Sequence, residues 1–262
     1  MKITVLTPNY NGGRWLARCM DSVLSQRLAP GDELEYIFLD GSSTDGSLSI
    51  AWDRRSRLSA IISEKDKGPA YALNKGFKRA TGDLIGWLNS DDVYRPGALA
   101  AAAAAARAHP KASFFFGKCR IVNESGKEIR GFPTLVKNVC FPFSCRFLIQ
   151  CINYVSQPSS WFRRSALEVA GGEMRTDFKA AFDYDLTLRL WRQGGGVRIP
   201  GGPLADFQWH SGSISGQHFE RQFEEEWKAA AEDAGRHSLQ AVLHSGVRHG
   251  IVACYRLMNR KS

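Results

Sequence analysis

Residues 66–92 read DKGPAYALNKGFKRATGDLIGWLNSDD, and their pattern decides the fold. Pro69 suits the first turn of a helix, where its missing N–H is no loss. Ala70, Leu73, Phe77 and Ala80 recur at helical spacing and predict the buried face of that helix. Thr81-Gly82 stops it. Residues 84–88, LIGWL, then form an apolar run of strand length that ends on Asn89-Ser90-Asp91-Asp92. A helix leading into a buried strand is the repeating unit of a parallel sheet.

The same alternation extends toward the N-terminus. Residues 3–7 predict a first strand, broken by Pro8 and by Gly12-Gly13. Trp15, Leu16, Cys19, Met20, Val23 and Leu24 give a helical stripe. Residues 36–39 predict a second strand ending on Asp40, with a polar turn between Gly41 and Gly46 and a short helix to about Arg57. Residues 60–63 predict a third strand. Such a pattern implies an α/β fold with helices on both faces of the sheet, and ligands then bind beyond the carboxyl ends of the strands. Asn9, Asp40, Asp66, Asp91 and Asp92 all fall at those ends and are expected to converge on one rim.

Downstream, residues 98–108 are an alanine-rich helix former. Residues 114–116 and 120–123 suggest further strands. Residues 131–156 are aromatic and irregular, with Pro133 and Pro142 as breakers. A helix resumes at Asp183 and ends at Gly194-Gly195-Gly196, and a last helical region covers about residues 219–234 before a basic tail.

At 262 residues the chain can bury a substantial core without disulfides. Its six cysteines include no C-x-x-C pair, and the trio Cys140, Cys145 and Cys151 lacks zinc-site spacing. They read as plain thiols of a reducing compartment. No secretory signal opens the chain, and no run of 18 or more apolar residues suggests a membrane span. These features place the expectation in the cytoplasm. The net charge of +9 fits nucleic acid, an anionic membrane or a phosphorylated small molecule. Residues 234–262 carry five arginines or lysines and no acid.

Four segments in order, VLTPNYNGG, FLDGSSTDGS, the opening stretch and FDYDLTLRL, resemble the family-2 glycosyltransferases of the GT-A fold over about residues 1–215. The resemblance implies a Rossmann-like, mostly parallel sheet flanked by helices. It divides the chain into a nucleotide-binding half (1–115), an acceptor half (116–218) and a helical basic C-terminal extension (219–262). It implies an inverting, metal-dependent transfer of a sugar from a nucleotide-diphosphate sugar to a glycan or lipid-linked acceptor, in cell-surface polysaccharide or glycolipid assembly.

Thr7, Pro8, Asn9 and Tyr10 correspond to the segment that packs around the base, and Asp40 to the carboxylate that contacts it. Asp40 also has an ordinary explanation as the cap of its own turn. Asp66, Lys67 and Asn74 fall where the family makes polar contacts to the nucleotide, although Lys67 also suits a solvated loop and Asn74 a helix surface. Asn89-Ser90-Asp91 occupies the D-x-D position with Asn in place of the first acid. Asp91 is thereby the chief ligand of a Mg²⁺ or Mn²⁺ ion, with Asp92 and His210 beside it; Asp92 alternatively begins the next turn, and a lone histidine is often structural. Asp183 is the expected general base, with an N-cap role as its alternative. Asp185, four residues before Arg189, reads as an ion-paired helix residue.

The partners implied are a nucleotide-sugar donor and an acceptor, with no nucleic acid. Leu239, Val242, Leu243, Val247, Ile251, Tyr255 and Met258 roughly follow helical spacing among basic residues. That stretch is expected to rest on an anionic membrane at its inner face, the alternative being a helix packed on the domain. A dinucleotide-dependent oxidoreductase would carry G-x-G-x-x-G after the first strand, which TPNYNGG does not. A non-catalytic subunit of the same fold is the remaining alternative.

Overall fold

The computed structural model describes residues 1–129, 139–141, 145–210, 212–213 and 219–259, with side chains as far as residue 251. Pro133 and Pro142, and the side chains of Cys254, Tyr255 and Met258, lie outside the described set. The first half alternates as expected: β1 (Lys2–Asn9), α1 (Gly13–Leu24), β2 (Glu33–Asp40), α2 (Ser47–Trp52), β3 (Ala60–Ser63), α3 (Pro69–Arg79) and β4 (Leu84–Trp87). Its strands are parallel and lie in the order β3-β2-β1-β4. The chain then runs through β5 (Val93–Tyr94), α4 (Ala98–Ala108), β6 (Phe114–Val122), α5 (Arg146–Cys151), β7 (Ser160–Arg163), α6 (Arg164–Val169), α7 (Phe182–Gly194), β8 (Gly196–Gln208), α8 (Phe219–Ala234) and α9 (Leu239–Asn259).

The eight strands make one sheet, continued past β4 as β7-β6-β8-β5. Strand β7 is antiparallel to both β4 and β6, and β5 is antiparallel to β8. The sheet is therefore mixed in its second half. Two local expectations also shift. Pro8 does not break β1 but pairs with Leu39, beyond the point where β4 stops pairing at Leu6; with one side of the strand open, a residue without an N–H is tolerated. The helix expected to reach Arg57 ends at Trp52, and residues 55–57 form a 3-10 turn.

Alternate residues of the strands feed two cores. Leu6, Ile37, Leu39, Ile85, Phe114, Phe116 and Phe162 pack with α3, α6, α7 and α8. Val5, Tyr36, Phe38, Leu84, Phe115 and Trp161 pack with α1, α2 and α4. Burial on both faces is what a sheet covered by helices requires. At Gly86 a Cβ would meet the Trp161 indole at 2.5 Å, so the glycine lets that side chain cross the sheet. Ala229 and Ala230 of α8 sit in the first core, which makes the C-terminal helices part of the body. The region after 235, expected as part of a helical basic extension, is helical over Leu239–Asn259.

Glu35 ties the N-terminal ends of this sheet together. Its carboxylate accepts from the Thr4 hydroxyl and from both the amide and the hydroxyl of Thr81, and Lys2 lies 3.0 Å away. Burial alone would raise the carboxyl, but those hydrogen bonds outweigh it and hold the pKa at about 2, against an ordinary 4.5. A depressed acid stabilises the fold fully above its unfolded value and loses that contribution as pH falls through the folded one. Glu35→Gln is expected to cost about 2 kcal/mol at pH 7. The gap from the parent, read by urea denaturation, should close between pH 4.5 and 2.

Candidate functional site

The carboxyl ends of β1 and β2 are in register, Asn9 beside Asp40. The Asp40 carboxylate is buried and saturated. It accepts from Asn9 Nδ2 (3.2 Å), from the Ser43 amide (3.1 Å) and hydroxyl, and from the Ser63 hydroxyl (2.8 Å). A carboxylate offers about four lone-pair positions, so it is the node that joins three strand ends. Asn9 Oδ1, by contrast, is buried without a hydrogen-bond partner among the described residues. Tyr10 is 70% exposed at the mouth of this rim, next to Gly41, whose other neighbour is the Asp66 carboxylate. Thr7 and Pro8 are buried, and the Thr7 hydroxyl pairs with Tyr36 Oη at 2.9 Å; both shape the strand end from inside.

The first loop lies against the loop after β4. A Cβ at Gly12 would fall 2.4 Å from Asn9 Oδ1 and 2.5 Å from Ser90 Oγ, so only glycine permits that approach. Asp45 anchors the same region by accepting from the Gly13 amide and from Ser47. Burial of Asp45 opposes its ionisation, but these bonds hold its carboxyl below the usual range.

Asp91 and Asp92, adjacent in sequence, have different surroundings. Asp92 is fully buried. One oxygen accepts the Gln208 amide at 2.9 Å and the other faces Asn89 Nδ2 at 3.3 Å. Burial, then the neighbouring Asp91 charge, push its carboxyl well above the usual range. Asp91 keeps solvent access, and its Oδ2 lies 3.1 Å from His210 Nε2. The Trp15 ring stacks on His210 with centroids 5.6 Å apart. The metal set expected from the sequence thus narrows: Asp91 and His210 meet, whereas Asp92 has both oxygens engaged by the protein. Among the described residues no group of three or more His, Cys, Asp or Glu is placed to hold a metal ion.

Asn89 leads from this corner to the acceptor side. Its Nδ2 is also 3.2 Å from Gln157 Oε1, and Gln157 Nε2 donates to the Trp87 carbonyl at 2.8 Å. Gln157 and Trp87 line a small cavity with Asn153, Ser160, Asp183 and Thr187. Asp183 is in the first turn of α7, whose N-cap is Ala181, so it is not the cap. Asp185 is paired with Arg189 at 2.9 Å, as its spacing predicts.

One expected nucleotide contact is engaged elsewhere, and a second is exposed at the surface. The Asn74 amide both donates to and accepts from the Met174 backbone, at 3.0 and 2.7 Å, which leaves it a clamp on the loop before α7. Lys67 is exposed, its ammonium 6.0 Å from the Tyr71 ring. Trp15, Ser63 and Gln157 join the site without a distinctive sequence signal, whereas Ser43 has one in its place in the polar turn after Asp40.

An α/β sheet with polar side chains gathered at adjoining strand ends places a candidate ligand site at the carboxyl ends of its strands. Residues 4–170 match glycosyl transferase family 2, and the chain belongs to that family. It is 30% identical over 195 residues to the O-antigen biosynthesis protein RfbC of Myxococcus xanthus, covering 72% of this chain and 14% of that one. The chain spans about a third of other curated relatives. In fold it is similar to residues 1–349 of Staphylococcus aureus TarS in complex with UDP-GlcNAc, with a TM-score of 0.71, 19% identity, and coverage of 93% and 69%. It is also similar to the mannosyltransferase PcManGT of Pyrobaculum calidifontis in complex with GDP-Man and Mn²⁺, with a TM-score of 0.68, 19% identity, and coverage of 96% and 75%.

The contrast between the two adjacent acids is testable by melting. Asp92→Ala strands the buried Gln208 amide and should cost about 1–3 kcal/mol. Asp91→Ala removes a half-exposed charge and should stay within about 0.5 kcal/mol of the parent. Equal melting of the two variants would contradict the assignment.

Proposed function

We propose that the chain is the catalytic domain of an inverting glycosyltransferase. It would move a sugar from a nucleoside-diphosphate sugar to an acceptor hydroxyl in the assembly of a cell-surface polysaccharide or glycolipid. One observation carries this reading: a continuous hydrogen-bonded run from Asp92 through Asn89 to Gln157 joins the Asp91–His210 pair to the cavity that Asp183 lines. Family membership and the O-antigen relative support the reaction class.

In this reading the base lies along the Asn9–Tyr10 edge. Asn9 Oδ1 has acceptor capacity to spare, and Asp40 receives a ring N–H when Ser43 or Ser63 turns aside. Asp66 and Lys67 flank the mouth. Asp91 and His210 offer one carboxylate and one imidazole with solvent access, a donor set that suits Mg²⁺ or Mn²⁺ with diphosphate oxygens and water completing the shell. When bound, such an ion neutralises charge on the diphosphate leaving group. Asp183 takes the proton of the acceptor hydroxyl as its oxygen bonds to the anomeric carbon. The bond from that carbon to the diphosphate breaks on the far side, and the configuration inverts.

The test uses UDP, GDP, dTDP and CMP in a thermal-shift panel with and without Mn²⁺, followed by release of nucleotide from the matching sugar donors. At least one nucleotide should raise the melting temperature, with a larger shift when the ion is present. Asp183→Asn should keep that shift while turnover falls about 10²- to 10⁴-fold. Stabilisation by none of the four nucleotides would overturn the reading, and near-normal turnover by Asp183→Asn would overturn the base.

The outer face of α9 supports peripheral contact with an anionic membrane, near a lipid-linked acceptor. Leu239, Val242 and Leu243 are 61%, 62% and 43% exposed on a stretch with five cationic and no acidic residues. Apolar side chains bordered by cations suit the boundary between headgroup and acyl chain. No helix among the described residues is long and apolar enough to cross a membrane. Truncation before α9 would remove the buried Ala241 and His244 and uncover Gln150 and Tyr184, which His244 contacts, so the probe is Val242→Glu with Leu243→Glu. Sedimentation with phosphatidylglycerol vesicles should be lost, while unchanged sedimentation would exclude the contact.

A further inference from the structure

The helix that carries Asp183 begins on Ala181, an N-cap residue that makes no side-chain cap hydrogen bond. Three successive amides just before the helix instead point at one carboxylate from the C-terminal helices. Glu225 of α8 accepts from Lys179 at 2.9 Å, from Ala180 at 2.7 Å and from Ala181 at 3.1 Å. Arg221 holds the other side of the same carboxylate at 2.9 Å. Successive backbone N–H groups around an anion form a nest, and a negative charge at a helix N-terminus is favoured by the helix dipole. Burial opposes ionisation of Glu225, but the three amides and Arg221 outweigh it and hold its carboxyl below the usual range.

The other end of the same loop is fixed from the donor side. Asn74 of α3 clamps Met174 through two hydrogen bonds, and Met174 and Phe178 are buried. Beyond the loop, Tyr184 bonds the Ile149 carbonyl and packs its ring against His244 of α9. Asp183 therefore sits two residues past the Glu225 nest and one residue before a buried tyrosine, on a segment held from four other helices. Glu225 and its helix lie beyond residues 4–170, the part that matches the family.

We propose that Glu225 is a positioning residue for the transfer reaction. By filling the amide nest at residues 179–181 it fixes the first turn of α7 and so the direction of the Asp183 carboxylate into the cavity shared with Gln157. This rests on the reading of Asp183 as the base. Positional error at a reacting group costs rate far out of proportion to its effect on folding, so the signature is a loss of turnover at unchanged donor affinity.

The experiment compares Glu225→Gln, Asp183→Asn and their double variant on whichever sugar donor the panel identifies, with water as acceptor. Amide hydrogen exchange of residues 179–185 is followed alongside. Glu225→Gln keeps the size but sets an amide N–H against backbone donors. Exchange at 179–185 should quicken, the donor KM should hold, and kcat should fall at least about tenfold. Adding Asp183→Asn should then cost no more than Asp183→Asn alone, because both changes disable one group. If Glu225→Gln does not fold, Glu225→Asp, one methylene shorter with the charge kept, should show the same split in smaller measure. Unchanged exchange and kcat in Glu225→Gln would overturn the proposal, as would losses that multiply in the double variant. Near-normal turnover by Asp183→Asn would overturn the base assignment instead, and the exchange result would still report on the nest.

Discussion

The carboxylate of Asp92 lies wholly out of water, with a backbone amide of β8 on one oxygen and the Asn89 side chain on the other. A buried carboxylate is costly unless its lone pairs are met, so the chain leaving β4 has little freedom to move relative to β8. The two-residue β5 pairs with β8 immediately afterward, and β8 leads within two residues to His210. Asp91 and His210 are thereby brought together although they are 119 residues apart in sequence. The buried acid holds the frame, and Asp91 keeps solvent access beside His210. Cys19 adds to the frame from α1, its thiol 3.3 Å from the Asn89 carbonyl.

The same division recurs at the other strand ends. Asp40 spends its lone pairs on Asn9, Ser43 and Ser63, and in doing so aligns β1, β2 and β3 at the rim. Asn9 is left with an acceptor that the described residues do not fill. Asn89 stands where a D-x-D pattern would have its first acid. An aspartate there would lose the N–H groups that reach Asp92 and Gln157, and would set its oxygens against the Asp92 carboxyl and the Gln157 amide oxygen. The amide is thus consistent with its neighbours, because it donates where an acid could only repel.

Helices α8 and α9 pack on the second half of the molecule. They supply Ala229 and Ala230 to the core of the sheet, Glu225 to the start of α7, and His244 to the face of Tyr184. Glu226 adds a bond to Asn153, which lines the cavity with Asp183. The exposed face of α9 points away from these contacts, so one helix is packed inside and bare outside.

Much of the fold could be read from the chain alone. The periodicity of residues 69–80 and the apolar run after Gly82 required a helix and a buried strand, because burial on a helix follows 3.6 residues and on a strand follows two. The acids at the ends of β2 and β4 were readable for the same reason, since a strand that stops on a polar residue places it on the rim. What no local pattern contained was the division between Asp91 and Asp92, the use of Asn74 as a clamp, the entry of Gln157 and Trp15, and the Glu225 nest. Each of those depends on a partner roughly 45 to 200 residues away. A carboxylate becomes buried anchor or exposed ligand according to which backbone amides the packed sheet and helices bring to it, and that is settled only when the chain has folded.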